Sequence, residues 1–309
     1  MGGLVLGFGA VALDQILYVD RPLSAGKGRV TGRITDHGGN VATALVAVVR
    51  LGGRAAFVGW LGEAGADPPD PSEAELLRQG VDTTRAPRRP DARAVQSVIT
   101  VAPDGERFIA FDDAVPHGTF EALADAVLAE GRVLLIDAYA THALPAVARA
   151  RALGLAVVAD IEWSDGPATD RLLALVDHLV LPQDFARSQT GATTPATMIA
   201  ALWAEGRSAV VLTDGARGCL LRQAGDLGLW HLPGHAVDAV DTTGAGDCFH
   251  GAYAWALADG RTALDAALFA NAAAALSVTA RGGQRGLPDR AAVNARLAAP
   301  DAPAPRRFV

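Results

Sequence analysis

Short uninterrupted apolar runs alternate along the chain with alanine-rich stretches whose apolar positions recur every three to four residues. Runs at 133–136 and 156–159 are followed by helical patterns at 144–152 and 169–175, and further runs lie at 178–181 and 209–213. A strand without polar alternation is buried on both faces, as parallel strands covered by helices are. The pattern predicts an α/β fold: a doubly wound, mostly parallel sheet. The first run, 4–13, has no basic segment before it, so it reads as a buried strand rather than a secretion signal.

Two stretches break this rhythm. Residues 14–36 alternate apolar and polar side chains in the manner of half-exposed strands, and a second pair at 94–101 and 107–111 is joined by the turn residues Pro103-Asp104-Gly105. Antiparallel ribbons set into an α/β core predict a small β-stranded lid, inserted at about 14–36 and 93–112 of a single domain spanning 1–309. The proline-rich segment 65–72 and the tail from Pro300 are expected to be loose.

Composition narrows the reading. A chain of 309 residues, half of them hydrophobic, supports a core without disulfides or structural metal. No apolar run approaches the roughly 18 residues needed to cross a bilayer. The net charge of −7 argues against general affinity for nucleic acid or an anionic membrane. Lys27 is the only lysine, so anion contacts must come mainly from arginine or backbone N–H groups. Cys219 and Cys248 form no metal-ligand or redox spacing, which makes a reducing cytoplasm the simplest compartment.

The chemistry concentrates in Asp241-Thr242-Thr243-Gly244-Ala245-Gly246-Asp247, immediately before a helical run at 248–257. Small residues ahead of a helix let several backbone N–H groups converge on one point, and the helix dipole adds positive potential there. Asp247 stands at the opening of that helix, where this potential is expected to keep it ionised and able to accept a proton. An anion cradle beside a base is an arrangement for phosphoryl transfer.

This segment resembles the C-terminal signature of the ribokinase-like, or PfkB, carbohydrate kinases. Gly38-Gly39-Asn40, opening an apolar stretch that runs to Gly52, resembles the N-terminal signature, and further similarities run from Gly7 to Asn271 and beyond. Phe249-His250-Gly251-Ala252, Gln96-Ser97, Gly26-Lys27 and the segment from Arg281 to Asp289 look closest to the ketohexokinase and sulfofructose kinase branch. The resemblance implies that Asp247 deprotonates an acceptor hydroxyl while Gly244, Ala245 and Gly246 hold the γ-phosphate of ATP. It implies sugar contacts from Asp14, Gly38, Gly39 and Asn40, with Lys27, Gln96 and Tyr139 as further candidates. On the ATP side it implies Thr213, Gly215 and Gly218 near the phosphates and Asn271 near the nucleoside. Magnesium would arrive with ATP, and Asp241 and Thr243 match positions that hold a monovalent cation such as potassium in many relatives. Pairing of two copies through their lids is a further implication.

The departures are specific. The family's Asn-x-x-Glu segment, which organises magnesium, is here Gln183-Asp184-Phe185-Ala186, leaving Asp184 as a neighbouring carboxylate for the metal. The positions that offer asparagine and arginine to a sulfonate in sulfosugar kinases are Phe111 and Tyr139, which favours a ketose without that group. The expectation is therefore an ATP-dependent kinase of a small sugar, a fructose-like ketose. Two alternatives stay open: a nucleoside kinase of the same fold using Phe111 or Tyr139 as a platform for the base, and a non-catalytic sugar or nucleotide sensor. Single residues have blander readings too. Asn40 also suits a helix N-cap, Asn271 a satisfied buried amide, His250 a packing histidine and Lys27 a solvated side chain. The match of Gly7, Gly9 and Ala12 to a dinucleotide fingerprint lacks the helix that should follow.

Overall fold

The protein is described by a computed structural model covering residues 2–9, 11–63, 65, 70–104, 106–114, 123–226 and 228–308. Its strands are β1 (Leu4–Phe8), β2 (Ala12–Val19), β3 (Val30–Gly38), β4 (Arg54–Phe57), β5 (Val95–Val101), β6 (Arg107–Asp112), β7 (Gly131–Asp137), β8 (Ala156–Asp160), β9 (His178–Pro182), β10 (Ala209–Thr213), β11 (Cys219–Gln223), β12 (Leu229–Leu232) and β13 (Arg306–Phe308). Nine of them form one sheet in the order β13-β12-β11-β10-β9-β8-β7-β1-β4. The six strands from β10 to β4 pair in parallel, and the last three are added antiparallel at one edge.

Alternation along the buried strands divides the core in two. Val5, Val133, Val158 and Val211 face a layer that includes the helices Asn40–Arg50, Ala245–Ala258 and Ala263–Ser277. Leu6, Leu134, Val157 and Leu212 face the opposite layer, which includes Leu144–Ala152 and Pro195–Leu202. Both faces are dry, so the strands need no polar side, and the continuous apolar runs follow from that burial. The expected doubly wound α/β core is the observed one.

The lid is a second sheet in the order β3-β2-β5-β6. The two ribbons expected from the sequence are antiparallel pairs, and a parallel pairing of β2 with β5 joins them into one sheet. Gly105 lies outside the described residues. The turn expected there is visible at its base, where the Ala102 N–H donates to the Glu106 carbonyl at 2.9 Å.

Three local expectations change. The first apolar run, expected as one buried strand, is divided between β1 and β2, so Ala12 and Leu13 belong to the lid strand that carries Asp14. The segment 65–72 is not loose to its end: Asp70 caps the helix Pro71–Arg78, accepting from the Ser72 N–H at 2.8 Å, with Pro71 at the first helical position. Pro68 and Pro69 lie outside the described residues. The tail from Pro300 ends in β13, which pairs with β12 and places Arg307 Nη2 2.5 Å from Asp226 Oδ1.

Candidate active site

The parallel strands end on one side of the sheet, where α/β folds place their ligands. The helix Ala245–Ala258 starts there. Gly244, its N-cap, has φ 74°, and a Cβ on it would lie 2.7 Å from the Gly283 carbonyl, so both backbone conformation and space require glycine. Asp241 braces the loop from behind, accepting from the Thr243 N–H at 2.9 Å and the Gly282 N–H at 3.0 Å. Gly246 is exposed, and a Cβ there would meet nothing within 4 Å. The first turn therefore presents its backbone to open space, as an anion cradle must.

Asp247 follows in the same turn and is half-buried. Burial, then the neighbouring Asp160 and Glu162 carboxylates, raise its pKa well above the ordinary carboxylate value, while His250 opposes the rise; desolvation and like charges thus outweigh the helix potential expected to keep it ionised. Asp160 ends β8 and is buried; burial and the charges of Glu162 and Asp137 push it the same way. Desolvation and like charges give such carboxyls a raised proton affinity.

Asn40 opens the helix Asn40–Arg50 and donates through Nδ2 to Glu162 Oε1 at 3.4 Å. Its preceding residues connect this floor to the lid. Gly39 has φ 93°, and a Cβ on Gly38 would fall 2.3 Å from Asp14 Oδ2, so only glycine lets the Asp14 carboxylate lie against the strand. Ser97 Oγ donates to Asp14 Oδ1. Burial first, then Asp36 directly opposite on β3, raise the Asp14 pKa despite that hydrogen bond.

The parity of β5 separates two neighbours. Ser97 pairs with Asp14 in register and is buried on the same face, whereas Gln96 is exposed on the other face and donates to the Ala94 carbonyl at 3.4 Å. Gln96 is thus not brought to the Asp14 carboxylate, and Ser97 takes the place expected of it. Phe111 lies opposite Ser97 on β6, which puts it on the Asp14 side of the lid, with 63% of its surface exposed. A cavity of about 860 Å³ separates Ile16, Ile99 and Ile109 of this face from Val240, Asp241 and Thr243.

The remaining candidates are more dispersed. Lys27 is exposed beside the turn Leu23–Ala25. Tyr139 follows β7, donates to Asp113 Oδ2 at 3.4 Å and meets Trp163 edge to face at 5.7 Å; burial, then Asp113, push its hydroxyl pKa upward. Thr213 ends β10, with Oγ1 3.5 Å from the Leu181 carbonyl, and Gly215 and Gly218 follow in a tight turn. Asn271 donates to the Pro233 carbonyl at 2.8 Å and borders a cavity of about 530 Å³ with His235 and Leu268. Asp184 points outward, 92% exposed, and pairs with Arg187 at 2.7 Å. Its neighbour Gln183 instead has a buried Oε1 without a hydrogen-bond partner. Among the described residues, no three His, Cys, Asp or Glu side chains are grouped to hold a metal ion.

Sequence reasoning missed Asp36, Ser97, Asp160 and Glu162. Asp160 and Glu162 are readable only as acids following an apolar run, and their approach to Asp247 is a product of strand order.

The sequence profile of the pfkB family carbohydrate kinases matches residues 4–290. The ribokinase of Haemophilus influenzae is 28% identical over 295 residues, covering 91% of this chain and 94% of its own. Fructokinase-2 of Zea mays is 28% identical over 313 residues, covering 92% and 91%. The structure of Arabidopsis thaliana ribokinase complexed with ribose and ATP superimposes with a TM-score of 0.81 at 24% identity, covering 95% of this chain and 98% of that one. No helix among the described residues is long and apolar enough to cross a membrane. The match across nearly the whole chain shows the family: this chain belongs to the pfkB family of carbohydrate kinases, phosphotransferases with an alcohol group as acceptor.

Proposed function

We propose that the protein transfers the γ-phosphoryl group of ATP to a hydroxymethyl oxygen of a small sugar, a ketose of the fructose type. One observation carries the reading: the Asp247 carboxyl shares a helical turn with the open cradle of Gly244, Ala245 and Gly246. In this reading Asp247 takes the proton as the acceptor oxygen attacks, and the cradle N–H groups neutralise charge on the phosphoryl group. Asp14, steadied by Ser97, and Asn40, steadied by Glu162, take sugar hydroxyls from opposite sides. Gly38 and Gly39 give the sugar close access to backbone. Thr213, Gly215 and Gly218 face the nucleotide phosphates, and Asn271 faces the nucleoside.

Magnesium bound with the nucleotide supplies charge neutralisation and needs only one or two protein oxygens. The buried, unpartnered Oε1 of Gln183 suits a water of its shell, and Asp184 reaches it only by leaving Arg187. Asp241 and Thr243 would hold a monovalent cation behind the cradle. Val98 and Phe108, exposed on the outer face of the lid, suit pairing of two copies, and a dimer mass in solution would support that pairing.

The test is ADP release over a panel of ketoses, aldoses and nucleosides with ATP and magnesium. Turnover highest with a ketose supports the reading. The nucleoside alternative is favoured by the exposed Phe111 on the sugar side of the lid, and turnover highest with a nucleoside would replace the sugar. Binding without ADP above background would return the sensor.

A further inference from the structure

His250 lies one turn beyond Asp247 and is buried, with 2% of its surface exposed. Its Nδ1 is 2.8 Å from the Gly246 carbonyl and its Nε2 is 3.0 Å from the Val180 carbonyl of β9. A carbonyl oxygen only accepts. A neutral imidazole carries one N–H, so it can satisfy one of these contacts and must aim a lone pair at the other oxygen. Only the imidazolium donates to both. Asp160 Oδ2, buried and with no other hydrogen-bond partner, lies 3.2 Å from Nδ1, where its ionised form supplies the opposite charge.

We propose that His250 is a positioning residue of the phosphoryl-transfer site, a buried imidazolium that clamps the Gly246 carbonyl of the anion cradle to the Val180 carbonyl of the central sheet, with Asp160 as its counter-ion. The clamp rests on the role given above to Asp247. It joins the helix end that opens with Gly244, Ala245 and Gly246 to a strand fixed on both sides by parallel pairing. It also puts a positive charge beside the base, where it favours the ionised carboxylate needed for proton abstraction.

Burial holds the imidazole pKa below its ordinary value even against the Val180 and Gly246 carbonyls and the Asp247 and Glu162 charges, and this opposes the proposal; the Asp160 counter-ion at 3.2 Å is the further influence in its favour. The charged groups around it are Asp160 at the end of β8, Glu162 just after it and Asp247 on its own helix, with Asp137 at the end of β7 acting on both aspartates; β9 contributes the Val180 carbonyl. All four charged groups are carboxyls, and with the two carbonyl acceptors they favour the protonated ring. In a buried site, two satisfied donors and an adjacent counter-ion outweigh the desolvation that a neutral ring would avoid at the expense of an oxygen facing a lone pair.

The test is ¹⁵N NMR of ring-labelled histidine in the full chain, with the His250 signals assigned by their loss in His250→Asn. Two protonated nitrogens at pH 7 are expected. One protonated and one bare nitrogen at pH 7 would overturn the proposal. This readout needs no turnover, so it stands apart from the identity of the base. A kinetic arm uses His250→Asn and His250→Gln, which keep a donor for one carbonyl but lose the charge. kcat is expected to fall roughly tenfold at pH 6 and less at pH 8, as the acid limb moves upward, while the KM for ATP changes little. An acid limb at the wild-type position in both variants would reduce His250 to packing and overturn the proposal. If Asp247→Asn keeps its activity while the NMR result holds, the base assignment fails and the clamp remains.

Discussion

The floor of the site and its lid are built on opposite principles. On the floor, Asp160 and Asp247 project from a nine-stranded sheet and a buried helix, both enclosed by two dry layers. In the lid, Asp14 and Ser97 project from a four-stranded sheet that exposes Val98 and Phe108 on its far side. Covalent chemistry tolerates little misplacement, so it belongs on elements fixed from both sides, whereas recognition can sit on a sheet that packs on one face only. The difference teaches where each kind of substitution should register: floor changes in kcat, lid changes in the acceptor KM.

The sharpest attempt to break this division is Asp247→Asn. It removes the proposed proton acceptor while keeping shape, so kcat is expected to fall by about 10²- to 10⁴-fold with the KM for ATP unchanged. Steady-state kinetics with the best acceptor from the panel decides it, and near-normal turnover would take Asp247 out of the mechanism. Next in size is Asp14→Ala on the lid. Hydrogen bonds to a charged group contribute about 1.5–3 kcal/mol, so the acceptor KM should rise by roughly 10- to 100-fold with little change in the KM for ATP. A loss confined to kcat would dissolve the contrast between the two regions.

Much of this contrast was legible in the sequence, but unevenly. Continuous apolar runs announced the core strands because burial on both faces leaves a direct mark. The cradle and Asp247 were legible because they are contiguous. The lid was read as two ribbons, yet its parallel β2–β5 pairing was not, since nothing local encodes which ribbons meet. Alternation revealed that Gln96 and Ser97 face opposite ways without revealing which faces the site; only the register with Asp14 decides that. β13 escaped notice because Arg306-Arg307-Phe308 has no apolar run, and its pairing is made by the edge of β12. The approach of residues 160, 180, 247 and 250 depends on strand order and helix placement, which no local spacing carries.

Ser97→Ala sharpens the comparison at smaller scale. The hydroxyl donates to Asp14, so its loss should free the carboxylate to other rotamers and raise the acceptor KM about fivefold, as a loss of about 1 kcal/mol does. An unchanged acceptor KM would mean that Asp14 holds its orientation without help from β5. Comparison with Gln96→Ala on the opposite face gives the control, expected to leave both KM values as they were.

The smallest expected effect concerns stability, and it separates floor from lid by the depth of burial. Asp247 binds its proton more tightly in the folded chain than in the unfolded one, chiefly through burial and then through Asp160 and Glu162. Between the ordinary carboxylate pKa and the raised one, the folded state therefore holds more protons, and stability must fall as pH rises through that window. Asn at this position does not ionise and escapes the loss. Asp247→Asn should accordingly melt higher than the wild type at pH 8, by roughly 2–4 °C, the shift that about 1 kcal/mol produces in a chain of a few hundred residues. The advantage should shrink as the pH is lowered toward 4, where both forms are uncharged. Melting curves at pH 4, 6 and 8 measure it, and a gap that stays constant with pH would show that the carboxylate is not held at a cost to the fold. A variant more stable in alkali yet nearly inactive would place the strain of the molecule at the atom that accepts the proton, on the side of the site that packing holds still.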